Sequence, residues 1–204
     1  MQTSQKIKEL FEKMKELENE IEEELVKRQE EFFCKVGQKI EFSESILQQQ
    51  RKNVENVFKF LVHTPILNIV TAPFVYVIIV PALLLDLCVS LYQAVCFPVY
   101  NIAKVKREDY IVIDRQNLQY LNIIEKVHCM YCGYFNGLIA YVMEISARTE
   151  QYLCPIKHAQ KMKFMHSKYQ NFFDYGDSEA YRNNLKQLRN DLAEVEEALI
   201  KKGE

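Results

Sequence analysis

The chain has 204 residues, with 26 basic and 28 acidic side chains and six cysteines. That length allows one ordinary domain with extensions. The near-neutral balance, with no strongly basic face and no aromatic-basic interleaving, argues against a nucleic-acid partner. The cysteines are too sparse for a disulfide-stapled scaffold and the charged, periodic start Met1 to Glu24 is no secretory signal, so the thiols are expected to stay reduced, in a cytoplasm.

From the N-terminus, Leu10, Met14, Leu17 and Ile21 recur at alternating spacings of four and three. After a phase slip between Glu24 and Phe33, with Gly37 following, Val36, Ile40, Ser43, Leu47, Gln50, Val54, Val57 and Leu61 resume the rhythm. Such spacing gathers apolar positions on one stripe of a helix. Residues 1–58 are therefore expected to form two coiled-coil-like helices, or one with a discontinuity.

Between Lys59 and Lys104 the only formal charge is Asp86, in the run "FLVHTPILNIVTAPFVYVIIVPALLLDLCVSLYQAVCFPVYNIA". A hydrocarbon core about 30 Å thick takes about 20 helical residues. Residues 59–103 thus read as a membrane-embedded segment, too long for one span and barely long enough for two. Either one tilted helix crosses at roughly residues 66–87, with Tyr92, Phe97 and Tyr100 at the interface, or the chain turns near Pro73 or Pro81 and leaves on the side it entered. Arg51, Lys52 and Lys59 before the run and Lys104, Lys106 and Arg107 after it are equally basic, which favours the hairpin and puts both flanks in the cytoplasm. Asp86 reads either as an intramembrane acid that pairs with a polar partner or binds a cation, or as an interfacial residue near a helix end, and the second is preferred because a charge at the bilayer centre costs roughly 2.5 to 3.5 kcal/mol.

Residues 104–170 carry ten basic and six acidic side chains, a mild excess suited to anionic headgroups. "DYIVID", residues 109–114, predicts a short strand or an extended linker. Gln116 to Val127 predicts a helix with Tyr120, Ile124 and Val127 inward. Leu138 to Tyr152 predicts another, with Leu138, Tyr141, Ile145, Thr149 and Tyr152 on one side.

"HCMYCGYFNG", residues 128–137, and the later "CPIKH" together give C-x2-C-x21-C-x3-H. Tetrahedral zinc takes four soft or borderline donors, and Cys129, Cys132, Cys154 and His158 supply a Cys3His set. An iron–sulfur cluster is the alternative occupant. A straight helix from Gly133 to Tyr152 would carry the halves roughly 30 Å apart. The site therefore requires a fold-back at "GYFNG", where Asn136-Gly137 is a turn signal, and a helix opened by Pro155 to put Cys154 and His158 on one face. Failing that, the halves meet between subunits, or Cys129 and Cys132 form a dithiol. Glu144 and Arg148 have the spacing of an ordinary helix ion pair, and Glu150 is the first candidate general base should a metal keep an open position. His128 reads as an exposed neighbour, with replacement of His158 as a ligand its alternative, and Cys34, Cys88 and Cys96 read as small hydrophobes.

In residues 177–204, Tyr181, Leu185, Leu188, Leu192, Val195 and Leu199 return to four-three spacing, with Asp177 or Ser178 as N-cap. The simplest arrangement lays this helix antiparallel on part of the N-terminal one, and the alternative is a homo-oligomeric coiled coil. There is no glycine-rich phosphate loop, nucleophile elbow or dinucleotide fingerprint.

The run "TAPFVYVIIVPALLLDLCVSLYQAVCFPVYNIAKVKREDYIVIDR", followed by "CMYCGYFNGLIAYVMEISARTEQYLCPIKHA", resembles a family of uncharacterised bacterial proteins over roughly residues 65–165. The resemblance brings no activity with it. It implies that Cys129, Cys132, Cys154 and His158 act as a unit, and it leaves the terminal helices outside.

The expected fold is mostly α: coiled-coil-like terminal helices, a membrane-embedded helix or helical hairpin, and a small helical Cys3His metal module. The expected function is that of a membrane-anchored, zinc-stabilised adaptor or scaffold at the bacterial inner membrane, with its termini and metal module in the cytoplasm. Its partners would be the lipid bilayer and, through the terminal helices, another protein or further copies of the chain. The alternative is a metal- or dithiol-dependent redox protein or enzyme acting on a membrane-associated substrate.

Overall fold

A computed structural model of the chain describes residues 2–36, 39–42, 48, 50–54 and 56–200. They are mostly helical and fall into two units, Met1–Val57 with Leu118–Asn122, and Phe58–Asn117 with Ile123–Glu204.

The first unit is built on α1 (Gln2–Phe32), rich in the Glu, Lys and Leu that favour helix. Its stripe of Leu10, Met14, Leu17 and Ile21 stands exposed. The segment expected to be helical from Val36 onward is not helical at its start, although residues 48, 50–52 and Val57–His63 are. Phe33–Val36 (β1) pairs antiparallel with Lys39–Phe42 (β2), Phe33 opposite Phe42 and Val36 opposite Lys39. The aromatic and β-branched residues of these two short segments suit a strand better than a helix, and four-three spacing alone does not register that preference. Ser43 and Leu47 of the expected stripe lie outside the described residues. Within the same unit, the Gln119 amide donates to Gln50 Oε1 at 3.2 Å.

The second unit begins at Phe58, within α2 (Val57–His63), followed by α3 (Ile66–Val77) and α4 (Ile79–Tyr100). The predicted hairpin at Pro73 or Pro81 is absent. Only Ile78 separates α3 from α4, and its φ of −63° and ψ of −19° keep it in the right-handed helical region. Pro81 lacks the N–H that would bond the Val77 carbonyl, and its ring crowds that carbonyl, so the helical pattern falters there without reversing. Reversal needs a residue that tolerates positive φ, and no glycine lies between Gly37 and Gly133. The chain first turns at Asn101, in the left-handed region at φ 54°.

Residues 101–117 then run back along the unit in irregular conformation with two single 3-10 turns, so "DYIVID" is a linker and not a strand. Helix α5 (Ile123–Leu153) follows as one unbroken element. It starts later than expected, leaving Tyr120 before the helix and Val127 exposed on it. Pairs with near-constant offset place α5 parallel to α4: Asp86 with Tyr134, Gln93 with Tyr141, and Tyr100 with Tyr152. The core lies between them, with Phe97, Leu138, Tyr141 and Ile145 buried, and the predicted inward stripe of 138, 141 and 145 is the one used.

Helix α6 (Ser178–Ile200) is capped by Asp177, whose Oδ1 accepts from the Ala180 amide at 2.9 Å. Its Leu188 and Leu192 are buried against this unit: Gln151 Nε2 donates to the Leu188 carbonyl, Arg189 Nε to the Tyr152 carbonyl, and the Ala103 amide to the Leu192 carbonyl. Of the expected α6 stripe, Leu188 and Leu192 are buried and Tyr181 and Leu185 half-buried, all within this unit.

Candidate functional site

Cys129 and Cys132 sit one turn apart on α5, while Cys154 and His158 lie beyond its C-terminal end. The helix runs on through "GYFNG", and Leu153 lies 21 positions beyond Cys132 on it, a rise of about 32 Å. Ligands of one zinc ion stand within about 4 Å of one another, given bonds near 2.0–2.3 Å. Within one chain the four residues therefore do not fit a single ion, and among the described residues no group of three or more His, Cys, Asp or Glu could hold one. Pro155 does not open a helix, since it enters an irregular segment where Ile156 bridges to Phe173. His158 stacks on Tyr169 with centroids 6.2 Å apart, and Glu150, the candidate base, faces His166 Nε2 at 3.0 Å.

The glycines of the motif have a different use. A methyl group at Gly137 would stand 2.5 Å from the Tyr110 carbonyl oxygen and 2.9 Å from Ile111 Cα, and one at Gly133 would stand 3.2 Å from the Val112 carbonyl oxygen. Four residues apart on a helix, they share one face. They form a groove in which the backbone of the return segment lies directly on α5. This is the small-xxx-small device for close backbone approach, and the G-x3-G spacing was its signal in the sequence.

The return segment is fastened at three further points. Gln93 Oε1 accepts from the Val105 amide at 2.7 Å, while its Nε2 donates to the Val105 carbonyl at 3.2 Å and to Tyr141 Oη at 3.0 Å. One buried amide side chain thus satisfies both backbone groups of a buried residue. Arg148, buried as expected of few arginines, donates to the Ala103 carbonyl at 2.6 Å and to Glu144 at 2.8 Å, confirming the i, i+4 pair. Asp86 accepts from Arg107 Nη2 at 2.6 Å, from Tyr134 Oη at 2.9 Å and from Ser90 Oγ at 3.4 Å. It is therefore a paired charge between α4, the return segment and α5, with the polar partner that the less favoured of its two readings gave it. Bonding to Asp86 holds the Arg107 guanidinium above its ordinary pKa, and burial first, then Asp86, raises the Tyr134 phenol.

One face of α4 is left over. Leu84, Leu87, Leu91, Val95 and Val99 recur at helical spacing and are all exposed, continuing the exposed Ile66, Leu67, Val70 and Phe74 of α3. Ile66–Tyr100 is long and apolar enough to cross a membrane, and only 6% of its most apolar window is buried. Large apolar surface left outside a core that has formed elsewhere marks a contact with something other than water. No family model, curated protein or solved structure matches the chain.

Proposed function

We propose that the protein is a membrane-anchored adaptor whose apolar helix lies in the plane of the bilayer. The observation that carries this reading is the exposed face running from Ile66 to Val99 beside a fully formed core. Two features argue against a crossing that buries the whole of Ile66–Tyr100. At 35 residues the helix is about 52 Å long, so covering it with hydrocarbon about 30 Å thick needs a tilt of about 55°, beyond the usual 0–40°. The return segment, with Lys104, Lys106, Arg107, Glu108 and Asp109, also runs beside α4 and would be dragged into the core. Lying in the interface, the helix buries its outward face in the acyl region while the return segment and α5 stay at the headgroups.

Both termini then stand on one side, in line with the equal basic flanks and with a bacterial inner membrane faced from the cytoplasm. The exposed stripe of α1, charged on its other faces, offers a coiled-coil seam to a partner protein or a second copy. The test is proteolysis of the full chain bound to the outside of sealed vesicles. Cleavage in both residues 1–58 and residues 104–204 is expected. Protection of either one means a crossing, and failure to float with vesicles at all ends the membrane reading.

A second reading keeps the metal. With Cys132 exposed on α5 and Cys154 exposed past its end, zinc or an iron–sulfur cluster would have to bridge two copies, one giving Cys129 and Cys132, the other Cys154 and His158. In that case metal content and dimer fraction fall together in Cys129→Ser and in Cys154→Ser. Metal-free wild-type protein, purified without chelator, ends this reading and leaves Cys129 and Cys132 as a helical dithiol.

A further inference from the structure

Where α4 and α5 end side by side, a cavity of about 370 Å³ opens between them and α6. Its lining includes the stacked Tyr100 and Tyr152, whose centroids are 4.8 Å apart, and the cations Arg182, Lys186 and Arg189. No acidic residue lines it. The volume is within the range of small-ligand sites.

Part of this positive charge has a structural use. Parallel helices bring two C-terminal ends together, each with a partial negative charge of about half a unit. Arg189 serves one of them by donating to the Tyr152 carbonyl at 2.8 Å, with its guanidinium 4.8 Å from the centre of the Tyr152 ring. Arg182 rests 5.5 Å from the Tyr181 ring, and among the described residues neither it nor Lys186 makes an ion pair. Two cations thus remain for an anion, beside two aromatic rings. The cavity is also continuous in sequence with the apolar face: the exposed Val99 immediately precedes Tyr100 on α4, with the exposed Val95 one turn before it.

We propose that this cavity binds a phosphomonoester, held by Arg182 and Lys186 beside the Tyr100–Tyr152 pair. This rests on the membrane reading in one respect: the source we favour is the headgroup of an anionic phospholipid whose acyl chains lie along the α4 face. The phosphate chemistry itself is shared with soluble phosphate esters. Planar guanidinium groups suit phosphate oxygens in pairs, and a lysine adds a point charge.

The test is flotation of the full chain with three vesicles: phosphatidylcholine alone, the same doped with phosphatidic acid, and the same doped with phosphatidylserine to equal surface charge. Wild-type protein is expected to prefer phosphatidic acid over both others by about tenfold or more. Arg182→Ala/Lys186→Ala should lose that preference while retaining its binding to phosphatidylcholine, and Arg182→Lys/Lys186→Arg should keep it. Both positions are exposed, so an unchanged circular dichroism spectrum is expected in the variants. Equal binding to the two charged vesicles, unaltered in the alanine variant, overturns the pocket and leaves the membrane reading standing. If no vesicle is bound, the membrane reading fails, and titration calorimetry with glycerol 3-phosphate decides the pocket. Binding lost in the alanine variant then assigns it to a soluble phosphate ester, and no binding overturns it.

Discussion

Arg148→Met is expected to destabilise the protein by about 3–5 kcal/mol, the range for removing one partner of a buried ion pair. Arg148 and Glu144 have side-chain exposures of 8% and 15%. Without the guanidinium, the Ala103 carbonyl loses its 2.6 Å bond and Glu144 keeps only Lys168 at 3.5 Å. Both groups would then be desolvated and poorly paired, which costs more than the pair contributes when intact. Glu144→Leu added to Arg148→Met should recover part of the loss, since the uncompensated carboxylate goes with it. Denaturant titration of the full chain in mild detergent, followed by circular dichroism, reads both variants. A loss below about 1 kcal/mol for Arg148→Met would mean that the return segment is not fastened through this residue.

Gly137→Ala should cost about 2 kcal/mol, against the usual direction of such a change. In an exposed helix interior, alanine in place of glycine gains about 1 kcal/mol. At position 137 the new methyl would meet backbone at 2.5 and 2.9 Å, which no side-chain rotation relieves, and overpacking of this kind costs about 1–3 kcal/mol or more. Gly133→Ala is the internal control. Its methyl would meet one carbonyl oxygen at 3.2 Å, and a shift of a few tenths of an ångström lets the helix gain nearly cancel the crowding. The same titration should therefore separate the two alanines by about 2 kcal/mol. Two equally stabilising substitutions would show that the return segment does not press on α5.

These two residues also mark where sequence reading stops. Asn136-Gly137 is a turn signal by local propensity, yet it sits mid-helix because α5 gains more by admitting the return segment than it loses in helix propensity. The price of the glycines is local, and their use is a contact with Tyr110 and Ile111, more than twenty residues earlier in the chain. The turn at "GYFNG" was needed to bring the two halves of the cysteine pattern together, and without it they stay a helix length apart. Spacing along a chain counts residues, and only the conformation of the intervening segment converts that count into a distance.

What the sequence determined by itself is what periodicity and solvation decide locally. It marked the apolar run, the stripe of Leu138, Tyr141 and Ile145, a charged periodic helix at the N-terminus and a cap at Asp177 or Ser178, because burial patterns and caps are written in neighbouring residues. Only the tertiary structure decided that α3 and α4 follow one another through Pro73 and Pro81 without reversing, that α5 lies parallel to α4, and that Asp86 is paired with Arg107 and Tyr134. Each of these depends on which distant group arrives to satisfy a backbone atom or a charge, and that is set by packing across the whole unit.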